Sequence, residues 1–102
     1  MISFNHKVFF EVAQQLSFTK ASQTLFISQP AISKHIRLLE EAYKTSLFER
    51  RGNSITLTEQ GSILYEFLLR GQELERQLEL ELNTYRDPSQ IKGDFKLGAS
   101  TT

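Results

Sequence analysis

The sequence predicts a mainly α-helical fold: three short helices with a two-stranded β-hairpin, followed by a long fourth helix. Three observations support this prediction. Apolar residues recur at helical spacing in three segments before residue 44, a turn sequence separates two β-rich segments within 47–57, and a proline-free stretch follows to residue 87. The chain has 102 residues, enough for one small domain and a little more.

A first helix is predicted over residues 4–16, where apolar side chains recur at helical spacing and would complete a three-helix core. These side chains are Phe4, Val8, Phe9, Phe10, Val12, Ala13 and Leu16. The phenylalanine-rich run could instead form a ligand or partner groove, although a core role is the commoner use of such a pattern. His6 has no second metal ligand at a suitable spacing, so no metal site is expected.

A second helix is predicted to begin near Ser17, which is a good N-cap because its hydroxyl can accept from a free backbone N–H group; Thr19 is the alternative cap. The apolar stripe of this helix is predicted to consist of Phe18, Ala21, Leu25 and Phe26.

A third helix is predicted from about Gln29 to Tyr43, with Ser28 as its N-cap and Pro30 in its first turn. Its inward face is formed by Ile32, Ile36 and Leu39, at positions i, i+4 and i+7. The end of this helix has no glycine to take the left-handed conformation. Either Lys44 adopts a positive φ, with strain of about 1 kcal/mol, or the helix ends in another type of turn.

A β-hairpin is predicted from two segments rich in β-branched and aromatic residues, 47–50 and 54–57. The sequence Arg51-Gly52-Asn53 between them is a strong turn signal. A lone hairpin is marginal in water. The apolar residues of this hairpin should therefore be anchored on the helices; they are Leu47, Phe48, Ile55 and Leu57.

A long fourth helix is predicted after the N-cap Thr58, running to Arg86 before Asp87-Pro88, a rod of about 42 Å. An apolar stripe with heptad-like spacing follows this acidic helix and needs a partner. Its members are Leu64, Phe67, Leu68, Gly71, Leu74, Leu78, Leu82 and Tyr85. We expect a homodimer through paired helices. The alternative is that the stripe packs on its own domain.

The second and third helices, joined by a few residues, form the pattern of a helix-turn-helix whose outer face carries polar and basic side chains. Six residues are predicted to read double-stranded DNA in the major groove: Gln29, Pro30, Ala31, Ser33, Lys34 and Arg37. Five are predicted to contact phosphate or the minor groove: Ser17, Thr19, Ser28, Arg50 and Arg51. Taken singly, these serines could be helix caps only and these basic residues solvated surface charges.

The charge distribution favours this interpretation, although the totals cancel at 12 basic and 12 acidic residues. Residues 1–58 carry a surplus of +3, residues 59–87 a surplus of −4 and residues 88–102 a surplus of +1. The basic surplus therefore lies with the helix-turn-helix. The absence of cysteine, of a long apolar run and of a signal-peptide core predicts a cytoplasmic, nucleoid-associated protein without a membrane partner.

Together with 39–41, 47–50 and 57–61, the stretch 17–37 resembles the N-terminal domain of LysR-type transcriptional regulators over roughly residues 4–100. The sequence departs from the family pattern at His6, Ser22 and Lys44, none of which is a DNA-facing position. The resemblance implies a winged helix-turn-helix at 1–58, a linker and dimerisation helix at 59–87, and a hinge with the first strand of an absent effector-binding domain at 88–102.

The resemblance further implies a bacterial transcription regulator that recognises an inverted-repeat operator as a dimer, with a tetramer expected for the full-length protein. No cofactor is expected in this fragment, whereas the full-length protein is expected to bind a small-molecule effector. We expect residues 91–102 to be disordered without the rest of their sheet, or to make artificial contacts.

Two other classes of function fit the sequence less well. A winged-helix module that binds protein is disfavoured by the basic outer face of the third helix. An enzyme is disfavoured because the sequence shows no metal cluster, glycine-rich phosphate loop or nucleophile-and-base pair. Glu40 and Glu41 are adjacent and lie on different helix faces, so they do not form a catalytic dyad.

Overall fold

The structure, a computed structural model, describes residues 3–85 and confirms the predicted fold class. Over these residues the elements are α1 (Phe4–Gln15), α2 (Phe18–Leu25), α3 (Gln29–Tyr43), β1 (Phe48–Arg51), β2 (Ser54–Leu57) and α4 (Glu59–Thr84). The predicted end of the fourth helix at residue 86 and the predicted strand at 91–102 lie outside the described residues. Two compact units divide within α4, between Glu66 and Phe67.

The core of the first unit is built from the predicted apolar faces of α1, α2 and α3. Phe9, Val12 and Ile32 are fully buried, and Ile36 and Leu39 continue the inward face of α3. Burying side chains of this size stabilises the fold by about 1.5–3 kcal/mol each. The core therefore fixes the rotation of α3 about its axis, which decides the side chains that it exposes.

Each of the first three helices begins at a serine cap. The hydroxyl oxygen of Ser17 accepts from Lys20 N–H at 3.0 Å, and that of Ser28 accepts from Ala31 N–H at 3.2 Å. Ser3 caps α1 in the same way. Ser17 rather than Thr19 is therefore the cap of α2, which decides between the two predicted candidates.

The first three helices all end at a non-glycine residue in the left-handed conformation: Leu16, Phe26 and Lys44, with φ of 50°, 59° and 58°. Two side-chain predictions are wrong for this reason. Leu16 and Phe26 were expected in apolar stripes, but the left-handed residue turns the chain out of the helix, and Leu16 and Phe26 are exposed. Phe4, also predicted as core, lies at the free end of α1 and is half exposed.

The β-hairpin pairs in antiparallel register, with Phe48 opposite Leu57 and Arg51 opposite Ser54. Its turn is Gly52-Asn53, so Arg51 belongs to β1 rather than to the turn, one residue from the predicted boundary. Gly52 has φ of 61°, which glycine adopts at little cost and which suits the first central residue of a tight hairpin turn.

The hairpin is anchored on the helices, as predicted for its apolar residues. Leu47 and Ile55 are buried, and Phe48 and Leu57 are partly buried. The carboxylate of Glu40 accepts from Leu47 N–H at 2.8 Å, so α3 also holds the start of the hairpin through a charged hydrogen bond.

The fourth helix begins at the predicted cap. The Thr58 hydroxyl accepts from Gly61 N–H at 2.9 Å and donates to the Ser46 carbonyl at 2.7 Å. One turn later, the Tyr65 ring stacks on Phe10 with ring centroids 5.1 Å apart. These contacts place the first two turns of α4 in the same compact unit as the three short helices.

His6 links the start of α1 to the end of α3. One ring nitrogen lies 2.7 Å from the Ser3 hydroxyl and the other lies 2.7 Å from the Tyr43 hydroxyl. Partial burial lowers the pKa of His6 below its ordinary value, because burial disfavours the charged ring.

Acid should therefore destabilise the protein partly through His6. A lowered folded-state pKa means that the unfolded chain binds the proton more tightly, so this contribution to stability is lost as the pH falls through about 6.5 and below. We expect the Tm of the wild type to fall more between about pH 7.5 and 5.5 than that of His6→Gln, which keeps a polar side chain. Parallel thermal melts that fall equally would contradict this role.

Candidate nucleic-acid interface

The exposed face of α3 is the predicted reading face. With Ile32, Ile36 and Leu39 turned into the core, the side chains about 180° around the helix point to solvent. Gln29, Pro30, Lys34 and Arg37 are exposed, whereas Ala31 and Ser33 are partly exposed. At 3.6 residues per turn, Pro30, Ser33, Lys34 and Arg37 share one side of α3, whereas Gln29 and Ala31 lie at the two margins of that side.

The N-terminus of α3 adds backbone donors to this face. Pro30 stands in the first turn and has no N–H group to leave unsatisfied. The Ser28 hydroxyl oxygen is occupied as a cap acceptor, which leaves its hydrogen free to donate. The same holds for Ser17 at the start of α2, where the exposed Thr19 is in the first turn. Anions bind favourably at helix starts of this kind.

The two predicted wing arginines face opposite sides of the hairpin, because neighbouring residues of a strand alternate. The Arg50 guanidinium lies over the Phe18 ring of α2, 5.5 Å from its centroid. Arg51 is beside the turn and pairs with Glu49 at 3.5 Å, with both side chains exposed. Arg51 thus lies near the tip, as predicted, while Arg50 lies against the helices.

A groove lies between α3 and β1. Arg50 lines it from β1, and Ser33 and Arg37 of the reading face line it from α3. It has a volume of about 230 Å³. Its lining residues are Phe18, Ser33, Ile36, Arg37, Glu40, Phe48, Arg50 and Ile55. Sequence reasoning missed Phe18 and Glu40 as parts of this surface, since only the hairpin register brings β1 beside them.

The apolar stripe of α4 is largely exposed in the described chain. Phe67, Leu74, Leu78, Leu82 and Tyr85 each have more than half of their surface accessible, whereas Leu64, Leu68 and Gly71 are less exposed. Apolar side chains outside the predicted stripe are exposed as well, namely Ile63, Leu69 and Leu80. The structure therefore leaves the predicted stripe accessible to a partner.

Charged side chains surround this stripe. Arg76 hydrogen-bonds Glu73 one turn away and lowers the pKa of that carboxyl group. The Arg70 guanidinium lies over the Phe67 ring at 4.5 Å. Within residues 3–85, no group of three or more His, Cys, Asp or Glu side chains could hold a metal ion. The helices described here also include none long and apolar enough to cross a membrane.

Comparison with known proteins gives a consistent picture. A regulator in the lacR 5' region of Staphylococcus xylosus, named as an uncharacterized HTH-type transcriptional regulator, is 40% identical over 92 residues, which cover 90% of this chain and 33% of that protein. The HTH-type transcriptional regulator CysL of Bacillus subtilis (strain 168) is 38% identical over 96 residues, 94% of this chain and 31% of that protein. The chain therefore spans about a third of the length of these relatives.

Among solved structures, the BenM DBD in complex with catB site 1 DNA superposes with a TM-score of 0.70 at 28% identity, over 82% of this chain and 92% of that one. The family model for bacterial regulatory helix-turn-helix proteins of the lysR family matches residues 5–62. Since this match covers more than half of the sequence, the chain belongs to the LysR family of bacterial helix-turn-helix regulators.

Proposed function

We propose that this chain is the DNA-binding and dimerisation part of a bacterial transcription regulator that binds an inverted-repeat operator. The observation that carries the proposal is the face of α3, where polar and basic side chains are exposed while the apolar side is locked into the core. The B-DNA major groove admits one α-helix, and its base edges present distinct donor and acceptor patterns.

The chemistry of each reading residue fits this groove. The Gln29 amide can make two hydrogen bonds to adenine, and Lys34 can donate to guanine. Pro30 and Ala31 offer apolar atoms to a thymine methyl group, and the Ser33 hydroxyl can donate or accept. The serine-capped starts of α2 and α3 would bind the flanking phosphates through hydroxyl and backbone donors.

The comparisons support DNA as the partner of this chain. The BenM DBD, which shares this fold, was solved with DNA, and full-length CbnR, 31% identical over 76% of this chain, was solved with its target DNA. The proposed division is DNA binding by residues 1–58, dimerisation by 59–87 and a connection to an effector-binding domain by 88–102. We place the protein in the cytoplasm, at the nucleoid, and assign it no catalytic role.

Footprinting on genomic fragments tests the proposed function. The expected result is a protected inverted repeat whose half-sites are related by a twofold axis, because a symmetric dimer presents two copies of α3. Protection of a single asymmetric half-site would argue against the dimer, and no protection on any fragment at low salt would overturn DNA binding itself.

Dimerisation through the stripe of α4 should be sensitive to charge. Leu78→Glu is expected to raise the dimer dissociation constant about 100-fold or more, since burying one leucine contributes about 1.5–3 kcal/mol and the dimer contains two copies. Sedimentation velocity over a concentration series measures this change. Gln72→Glu adds the same charge at another exposed position of α4 and should leave the constant within about twofold.

Arg51 should contribute affinity that does not depend on base sequence, because it lies beside the tip of the hairpin, where phosphates or the minor groove would be met. Arg51→Ala is expected to reduce the slope of log affinity against log salt by about 0.9, the value for loss of one phosphate contact. Fluorescence anisotropy at several potassium chloride concentrations gives this slope, and an unchanged slope would count against the assignment.

A further inference from the structure

We propose that Arg37 and Arg50 bind one and the same backbone phosphate of DNA at the mouth of the groove between α3 and β1, with Phe18 as the positioning residue for Arg50. The proposal rests on the proposed function and deepens it. It assigns to Arg50 a contact with the DNA backbone beside the reading helix, not with the minor groove. It assigns to Arg37 a contact with a phosphate, not with a base.

The position of Arg50 follows from the strand and the ring beneath it. Phe48 and Arg50 are two residues apart on β1, so both point toward the helices. The Phe18 ring lies 5.5 Å from the Arg50 guanidinium and 6.1 Å from the Phe48 ring centroid. An aromatic face attracts a guanidinium by about 0.5–1 kcal/mol at an exposed site. Phe18 therefore favours the rotamers that keep Arg50 at the groove before any DNA is bound.

The position of Arg37 follows from helix geometry. Arg37 lies eight residues beyond Gln29, which is about 12 Å further along α3. Helix-turn-helix proteins contact base edges with the N-terminal residues of the reading helix, and the major groove is about 8.5 Å deep. Arg37 also lines the groove beside Arg50, on the side of α3 that faces the hairpin, so one phosphate at the rim of the major groove could be contacted by both guanidinium groups.

The charge and size of the groove fit a single phosphodiester. Its lining contains two guanidinium groups and one carboxylate, that of Glu40, and this carboxylate already accepts from Leu47 N–H at 2.8 Å. The net charge of +1 matches one phosphodiester. A volume of about 230 Å³ lies below the roughly 300–1,000 Å³ typical of small-molecule pockets.

The salt dependence of binding tests whether the phosphate is shared. The probe is a fluorescein-labelled duplex of random sequence, about 30 base pairs long, titrated by anisotropy from about 50 to 200 mM potassium chloride. If both arginines hold one phosphate, Arg37→Ala/Arg50→Ala should reduce the salt slope by about 0.9 in total. A reduction of about 1.8 would mean two separate phosphates and would overturn the proposal.

A second pair of substitutions provides the matched control. Arg51 lies on the other side of the hairpin, so Arg37→Ala and Arg51→Ala should change the slope independently, and the double variant should show the sum of the two single effects. The control also separates the two levels of the proposal. If the wild-type protein binds no duplex, the proposed function is wrong. If the wild type binds but Arg37→Ala/Arg50→Ala changes the salt slope by about 1.8, only the shared phosphate contact is wrong.

The role of Phe18 is tested by substitutions that keep or remove its aromatic face. Phe18→Leu should weaken binding about two- to fivefold, whereas Phe18→Tyr should bind like the wild type. In an Arg50→Ala background, Phe18→Leu should have no further effect on affinity or salt slope. If Phe18 is only structural, Phe18→Leu should lower the affinity equally in the wild-type and the Arg50→Ala backgrounds. That result would overturn the positioning role, whether or not thermal melts show that Phe18→Leu is less stable.

Discussion

Gly61→Ala is expected to lower the free energy of unfolding by about 3 kcal/mol, at the upper end of the range for overpacked sites. A methyl group at this position would meet the Leu47 carbonyl oxygen at 2.1 Å and the Leu57 Cδ2 atom at 3.0 Å. The Leu47 carbonyl is backbone and already accepts from Thr58 N–H at 3.0 Å, so it cannot move without breaking that bond. Urea denaturation followed by circular dichroism measures the loss.

Gly71→Ala is the matched control, because it is the same substitution in the same helix. No atom lies within 4 Å of the added methyl group at Gly71. Alanine is favoured over glycine inside a helix by about 0.5–1 kcal/mol, so this variant should be as stable as the wild type or more stable. The comparison is made at several protein concentrations, since Gly71 belongs to the proposed dimer stripe. If both variants lose the same free energy of unfolding, the close approach at Gly61 is not the cause of the effect of Gly61→Ala.

Gln29→Ala is expected to weaken binding to the cognate operator by about 1–3 kcal/mol while leaving binding to random DNA unchanged. Gln29 is the first residue of α3, is exposed, and stands where the reading helix would enter the groove. Losing a two-bond contact to a base edge removes discrimination but no ionic contact, so the salt slope should also stay constant.

The experiment compares anisotropy titrations on the footprinted operator and on a duplex of shuffled sequence. Gln14→Ala is the control, because it makes the same change on the exposed face of α1, away from the reading helix. It should bind both duplexes like the wild type. If Gln29→Ala weakens both duplexes equally, Gln29 contributes to general affinity or to folding and does not read a base.

The helix starts were predictable from sequence, whereas two of the helix ends were not. Hydroxyl caps and an early proline are local signals, so the helix starts can be predicted at Ser17, Ser28 and Thr58. The left-handed residues Leu16 and Phe26 carry no such signal, since glycine is the residue usually expected there. At the end of α3, where no glycine is present, a positive φ at Lys44 was one of two outcomes that the sequence left open, and the structure shows it.

The reading face was predictable for a similar reason, and the groove was not. A 3.6-residue period with three buried members leaves only one way for Lys34 and Arg37 to point, whereas Gln29, seven residues before the buried Ile36, is exposed because it begins the helix. The contact between Phe18 and Arg50 joins residues 32 positions apart and depends on the alternation within β1 and on the packing of the hairpin against α2. A one-residue change in the pairing register of the hairpin would have moved Arg50 to the opposite face.

The close approach at Gly61 has a mechanical consequence. Since the backbone of the first turn of α4 touches the backbone that leads into the hairpin, with no intervening side chain to rearrange, a change of tilt at the base of α4 cannot be absorbed locally. Glu40 and the buried side chains of Leu47 and Ile55 hold the same hairpin against α3, so the start of α4, the hairpin and α3 are packed as one unit.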